Sequence, residues 1–301
     1  MAFLPNRSIK KIRNSLEKLM DPSLDLKFDL TDLVDIHIHS APDVQPRYGD
    51  DIELAYQAKE AGMQAILFKS HITLTSDRAQ IAEKVVGGIR VFGGLALNQS
   101  IGGLNPSAVK VGVEMGAKVV WMPTRSAAHV LKQEGMLGGI TILDGDGNLR
   151  AEVHEIIDII KQADIMLATG HLSPQESFLL VKQARSRGLR RIVVTHPESH
   201  FIRMPLEMQR EIANEGVYFE HCYVDTTPEE KSLVSVAQIA AKIHEIGISH
   251  IVLSTDFGQA ISPAPVEGLS AFLYKLSELG FSKDDLYRMA GENPAYLLGI
   301  S

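Results

Sequence analysis

The chain has 301 residues, 45% of them hydrophobic and 22% charged, an ordinary globular composition long enough for one large barrel or two modest domains. A net charge of -7 and a pI near 5.9 argue against nucleic acid as a partner, and no run approaches the roughly 20 apolar residues of a membrane-spanning helix. The single cysteine, Cys222, excludes an intrachain disulfide framework and a cysteine-based zinc ribbon, so any metal must be held by histidine and carboxylate. It also fits a reducing compartment, and the expectation is a cytoplasmic protein.

In chain order, Lys10, Lys11 and Arg13 are followed by no apolar leader segment. Ile12, Leu16, Leu19 and Met20 fall at helical spacing and predict an amphipathic helix over 8–20, within a helical lead-in of residues 1–30. Short β-branched runs then recur at 33–39, 63–69, 89–97, 117–123, 164–170, 190–196, 217–223 and 250–256, each followed by helical periodicity. Eight such units predict parallel strands joined by crossover helices. The spacing is even except between Pro123 and Gly170. There Asp144-Gly145-Asp146-Gly147 reads as a turn, with Gly139–Leu143 and Asn148–Arg150 as its flanks, predicting a small β-hairpin insertion over 138–150 after strand 4. A calcium loop is the weaker alternative, since the spacing and the distal Glu of an EF-hand are missing.

No linker or composition shift interrupts the series. The expected fold is α/β, a single (β/α)8 TIM barrel over residues 1–301 with extra terminal helices. An open doubly wound sheet would usually carry a Gly-rich phosphate loop after its first strand, whereas here that strand runs into His-Ser-Ala-Pro-Asp.

In a barrel the reactive groups sit at the C-terminal strand ends. Strand 1 carries His37 and His39, two apart on a strand and so on one face, with Ile36 and Ile38 expected on the other. Two imidazoles converging on one point make half of a tetrahedral metal site. Asp35 shares their parity one layer deeper, as a partner that could orient an imidazole. Strand 2 ends in Lys69-Ser70-His71, strand 3 in Asn98, strand 4 in Pro123-Thr124-Arg125 and strand 5 in Thr169-Gly170-His171. Strand 6 ends in Thr195-His196, strand 7 in Glu220-His221 and strand 8 in Thr255-Asp256.

In this order and spacing the sequence resembles the amidohydrolase superfamily, including its phosphotriesterase-like branch. The resemblance rests on His-x-His after strand 1, His after strands 5 and 6, Asp after strand 8, and the closing Asn293-Pro294-Ala295-Tyr296-Leu297-Leu298-Gly299. It implies that His37, His39 and Asp256 hold one divalent cation, with His171 and His196 completing the site or holding a second. Zn²⁺ is the expected metal, as one ion or two, with Asp256 also the catalytic acid–base. The implied activity is hydrolysis of an amide, lactone or phosphoester bond by metal-activated water. The same scaffold also supports a mononuclear decarboxylase or lyase, and a catalytically silent metal- or ligand-binding barrel is the third reading.

One element of the family pattern is missing, the carbamylated Lys or the Glu at the end of strand 4. Lys118 lies at the wrong end of that strand. A single ion is favoured, with Lys69 or Glu220 as the alternative bridge. Lys69, His71 and Arg125 would favour a small anionic substrate. Arg125 could equally form a surface salt bridge, and His200 could line the pocket or lie on the surface. Strand parity turns Glu220 inward and His221 outward. Cys222 reads as a small buried apolar residue, Trp121 and Phe92 as core, and His154 and His244 as solvated, while His129 and His250 receive no role. A homo-oligomer is the base-rate expectation.

Overall fold

The computed structural model describes residues 26–227 and 234–300. Eight parallel strands follow one another around a single sheet in sequence order. They are β1 (Val34–His39), β2 (Ala65–Lys69), β3 (Arg90–Ala96), β4 (Val119–Trp121), β5 (Met166–Ala168), β6 (Ile192–Thr195), β7 (Tyr218–Cys222) and β8 (Ile251–Ser254). Every expected strand is present, shorter by up to two residues at either end. At least one helix follows each strand, and several start in reciprocal caps such as Asp50 with Glu53 and Ser173 with Glu176. The result is the (β/α)8 barrel. No described helix is long and apolar enough to cross a membrane.

Two apolar clusters make the two layers. Val34, Ile36, Leu67, Val119, Trp121 and Val252 fill the lumen, which Leu297 and Leu298 of the helix Asn293–Leu298 plug from below. Asn293 fastens that plug by donating from Nδ2 to the carbonyls of Ile248 and Ile251 at 2.9 and 2.6 Å. The outer cluster, between strands and helices, includes Ile38, Ile66, Phe68, Leu167 and Leu253.

Ile36 and Ile38 therefore lie in different layers, contrary to strict alternation. The cause is an irregularity in β1, where Asp35 pairs with Ile66 but Ile38 pairs with Phe68, one extra residue on β1. The extra residue re-aims everything after it. His37 and His39 still reach the lumen, but Asp35 orients no imidazole. Its carboxylate accepts from the His37 backbone N–H at 3.0 Å and from the Thr255 hydroxyl at 2.6 Å, lashing β1 to the end of β8.

That lashing is part of the closing seam. The His39 N–H donates to Phe257 O at 2.8 Å and the Asp256 N–H to His37 O at 2.9 Å, and Ile38 bridges Phe257. Gly258, at φ 123°, passes so close that a Cβ there would lie 1.7 Å from His39 O.

The insertion after β4 holds the expected hairpin in minimal form, its flanks joined by two backbone hydrogen bonds, Asp144 N–H to Asn148 O at 2.8 Å and Arg150 N–H to Ile142 O at 3.0 Å. It begins with a short helix, Ala128–Gln133, and a single antiparallel bridge joins Leu143 to Leu149 around the Asp144–Asn148 turn. The pairing stops there, because the Thr141 hydroxyl and the Ile142 N–H donate to Glu176 Oε1 at 2.7 and 3.3 Å. Asp144 Oδ1 accepts the N–H groups of Asp146 and Asn148, so the carboxylate shapes its own turn. The expected helix over 8–20 lies outside the described residues. Residues 26–30 are not helical, and Phe28 exchanges hydrogen bonds with Ser270 at 2.7 and 3.0 Å.

Candidate metal centre

The strand ends converge on Asp256. Its Oδ1 lies 3.0 Å from Nε2 of His37 and 3.0 Å from Nε2 of His39, and its Oδ2 lies 3.1 Å from Nε2 of His196. Oδ1 is nevertheless buried with no aligned hydrogen bond. Two ligand atoms about 2.1 Å from one tetrahedral ion would themselves stand about 3.4 Å apart, so the separations here are close to those that a shared cation would set. His171 joins the ring of imidazoles, 5.6 Å from His196 and 5.8 Å from His71 between ring centroids, with Nε2 buried and unpartnered.

Carboxylates stand behind two of these rings. His37 Nδ1 lies 3.0 Å from Glu220 Oε1, which also accepts from Ser254 Oγ at 2.9 Å, and His196 Nδ1 lies 3.1 Å from Asp225 Oδ2. An ionised carboxylate can only accept, so each Nδ1 carries the proton and Nε2 is left to face Asp256. Glu220 thus faces inward as its parity requires, but it supports His37 and does not border the cavity. Asp225 was missed by sequence reasoning. Its only signal is an acidic residue three positions beyond β7.

Lys69 is buried, with Nζ 2.8 Å from His37 Nε2 and 5.4 Å from the Trp121 ring centroid. Cys222 is buried as expected, yet it belongs with His37, His196 and Asp256 to a group whose ligand atoms lie within 4.8 Å of one another. Its Sγ approaches His37 at Nδ1, 3.7 Å away, on the side of Glu220 and away from the face turned to Asp256. Burial raises its pKa, which keeps it a thiol.

Electrostatics sort the groups. Burial presses Asp256 toward its neutral form, but the charge of His37 and the close nitrogens of His196 and His39 outweigh it and hold the carboxyl well below the usual range. Burial likewise opposes the charging of His37 and His196. It is overcome by Asp256 and Glu220 for the first and by the carboxylates of Asp225 and Asp256 for the second, so both lie well above the usual imidazole range. His39 is pushed down to about 3 by burial, and His71 and His171 fall well below their ordinary value for the same reason. Burial also lowers Lys69.

Above this floor opens a cavity of about 690 Å³. His39, His71, His171, His196 and Asp256 line its base, with Val130, Leu131 and Met136 of the insertion on one side. His200 borders it too. Arg47 is closed in an ion pair with Asp43, Nη2 to Oδ2 at 2.8 Å, whereas Arg125 is exposed at the rim with no ion pair among the described residues. His129 lies away from the floor, its Nε2 2.7 Å from Phe201 O, where it fastens the insertion to the loop after β6.

The family model described as "Family of unknown function (DUF6282)" matches residues 32–220. No curated protein matches the chain. Among solved structures it is similar to an amidohydrolase from Pseudomonas aeruginosa, at 15% identity and a TM-score of 0.59 over 89% of this chain and 95% of the other. It is also similar to dipeptidase AC, described as a metallopeptidase, at 13% identity and 0.63 over 90% and 99%. A mutant of a PTE-like lactonase from Deinococcus radiodurans aligns at 14% identity and 0.60 over 89% and 95%. At these identities the likeness establishes the barrel fold alone.

Proposed function

The chain belongs to DUF6282, a family of unknown function, and on its amidohydrolase barrel we propose that it is a metal-dependent hydrolase cleaving an amide, lactone or phosphoester bond in a small anionic molecule. The observation that carries this reading is the convergence of three imidazole Nε2 atoms on the two oxygens of Asp256. The orphaned Asp256 Oδ1 and His171 Nε2 fit a cation as their common partner. His37, His39, His196 and Asp256 would hold one ion, zinc by its suitability to imidazole and carboxylate, with His171 completing the site or serving a second ion. Such an ion supplies Lewis acidity and lowers the pKa of water, making a nucleophile available at neutral pH.

The chain's own groups do the rest. Glu220 and Asp225 keep the His37 and His196 rings in the tautomer that presents Nε2. Asp256, held ionised, accepts a proton from the attacking water on its carboxylate and returns it to the leaving group. Arg125 at the rim offers its guanidinium to an anionic substrate group. The single cysteine supports a reducing, cytoplasmic setting.

The test is metal content and intact mass of protein purified without chelator, followed by hydrolysis of a lactone, amide and phosphoester panel before and after chelation. About one divalent ion per chain is expected, with turnover abolished by chelation and restored by metal. Asp256→Asn should lower turnover about 10²- to 10⁴-fold. Failure to bind Zn²⁺, Mn²⁺, Fe²⁺ or Ni²⁺, or hydrolysis indifferent to chelation, would sink the reading. Two ions and a carbon dioxide adduct on Lys69 would replace the single-ion site with a bridged pair.

A further inference from the structure

One side chain ties the end of β3 to the ends of β2 and β4. The backbone N–H groups of Thr124 and Ser126 lie 2.9 and 3.0 Å from Oδ1 of Asn98. A backbone N–H can only donate, so the atom they meet is the amide oxygen and the other is the nitrogen. That nitrogen stands 2.9 Å from His71 O and 2.6 Å from Thr124 Oγ1, and its two protons go one to each. The threonine oxygen is now an acceptor, and its own single proton still needs a destination.

Thr124 is fully buried, and the one acceptor in reach of its hydroxyl among the described residues is His71 Nδ1, at 2.8 Å. A buried hydroxyl left without an acceptor is costly, so the proton points at Nδ1 and Nδ1 presents a lone pair. A neutral imidazole has one N–H, and in His71 it must therefore be on Nε2. The contrast with His37 and His196 is chemical. Their Nδ1 atoms face carboxylates and carry the proton, whereas the Nδ1 of His71 faces a donor and cannot.

We infer that His71 is a hydrogen-bond donor to the reacting oxygen of the substrate. Its neutral Nε2–H, on the cavity floor between His39 and His171, holds the negative charge that grows on the attacked carbonyl or phosphoryl oxygen. Nothing is transferred in this role, because the proton remains on Nε2 while the hydrogen bond strengthens. Asn98 and Thr124 are positioning residues that act through the tautomer. The reaction assigned to His71 rests on the hydrolase reading above, but the tautomer does not.

Long-range proton–nitrogen NMR on histidine-labelled protein reads the tautomer directly, and the unmodified chain suffices. The expectation is a His71 proton on Nε2 and none on Nδ1, unchanged by metal loading. A proton on Nδ1, or loss of the Nε2 proton when metal is added, overturns the assignment. Thr124→Val should release the ring to a mixture of tautomers, and an unaltered spectrum would break the relay. Methylphosphonate, an oxyanion probe, should move the Nε2–H resonance. His71→Phe should weaken its binding about ten- to a hundredfold with metal content retained, and equal affinity would overturn the donor role. If no metal binds, the hydrolase reading fails while the tautomer is still decided by the spectrum of the metal-free protein.

Discussion

At the scale of single residues, the support behind the imidazoles makes a sharp prediction. Glu220→Gln keeps the shape but replaces the acceptor behind His37 Nδ1, and metal affinity should fall about 10- to 100-fold in competition with a chromophoric chelator. His221 makes another. It is buried with neither ring nitrogen partnered among the described residues, near Glu198, Lys242, Asp225 and Glu220, and burial lowers its pKa. Below pH 6.5 the unfolded chain takes up a proton that the folded His221 refuses, so stability falls as pH falls, by at most about 1.4 kcal/mol per unit. His221→Phe should flatten the urea-measured loss between pH 7 and 5, and an unchanged slope would refute this. The histidines were legible because strand ends announce themselves. Their partners were not, because Asp225 and the Asn98–Thr124 pair meet their rings across turns that no local periodicity encodes. Asp35 was misplaced for a related reason, since one extra residue in β1 defeats any parity argument that crosses it.

At the scale of elements, the strand–helix rhythm was readable almost throughout, because each buried strand must be apolar and each outer helix must turn one stripe inward. The insertion was half readable. Its turn is written in Asp144 and Gly147 and its flanks do pair, but only across one bridge, because Thr141 and Ile142 then turn to Glu176. The closing seam was invisible in the sequence, and Gly258 is where it can be tested. Gly258→Ala would force a Cβ onto His39 O, and we expect a loss of more than about 3 kcal/mol in urea unfolding. Gly145→Ala, with nothing within 4 Å of its would-be Cβ, serves as the control and should stay within about 0.5 kcal/mol.

At the scale of the whole molecule, the barrel packs a set of mutually repelling or unpartnered groups into its upper end. A cation that binds only the folded state should stabilise all of it together. Metal at about a thousandfold its Kd should add about 4 kcal/mol and raise the calorimetric Tm by several degrees, reversed by chelator. No shift on loading would mean that the imidazoles and Asp256 are not joined through an ion. The backbone carries a related cost. His196 and Asp256 each follow a strand with φ at 52°, a left-handed conformation that side-chain-bearing residues avoid by roughly 1–2 kcal/mol. A lineage bred for heat tolerance alone would therefore be expected to lose these two residues early, to glycine or asparagine, while its eight strands stayed intact. Their retention in a working protein would be a record of selection for chemistry over endurance.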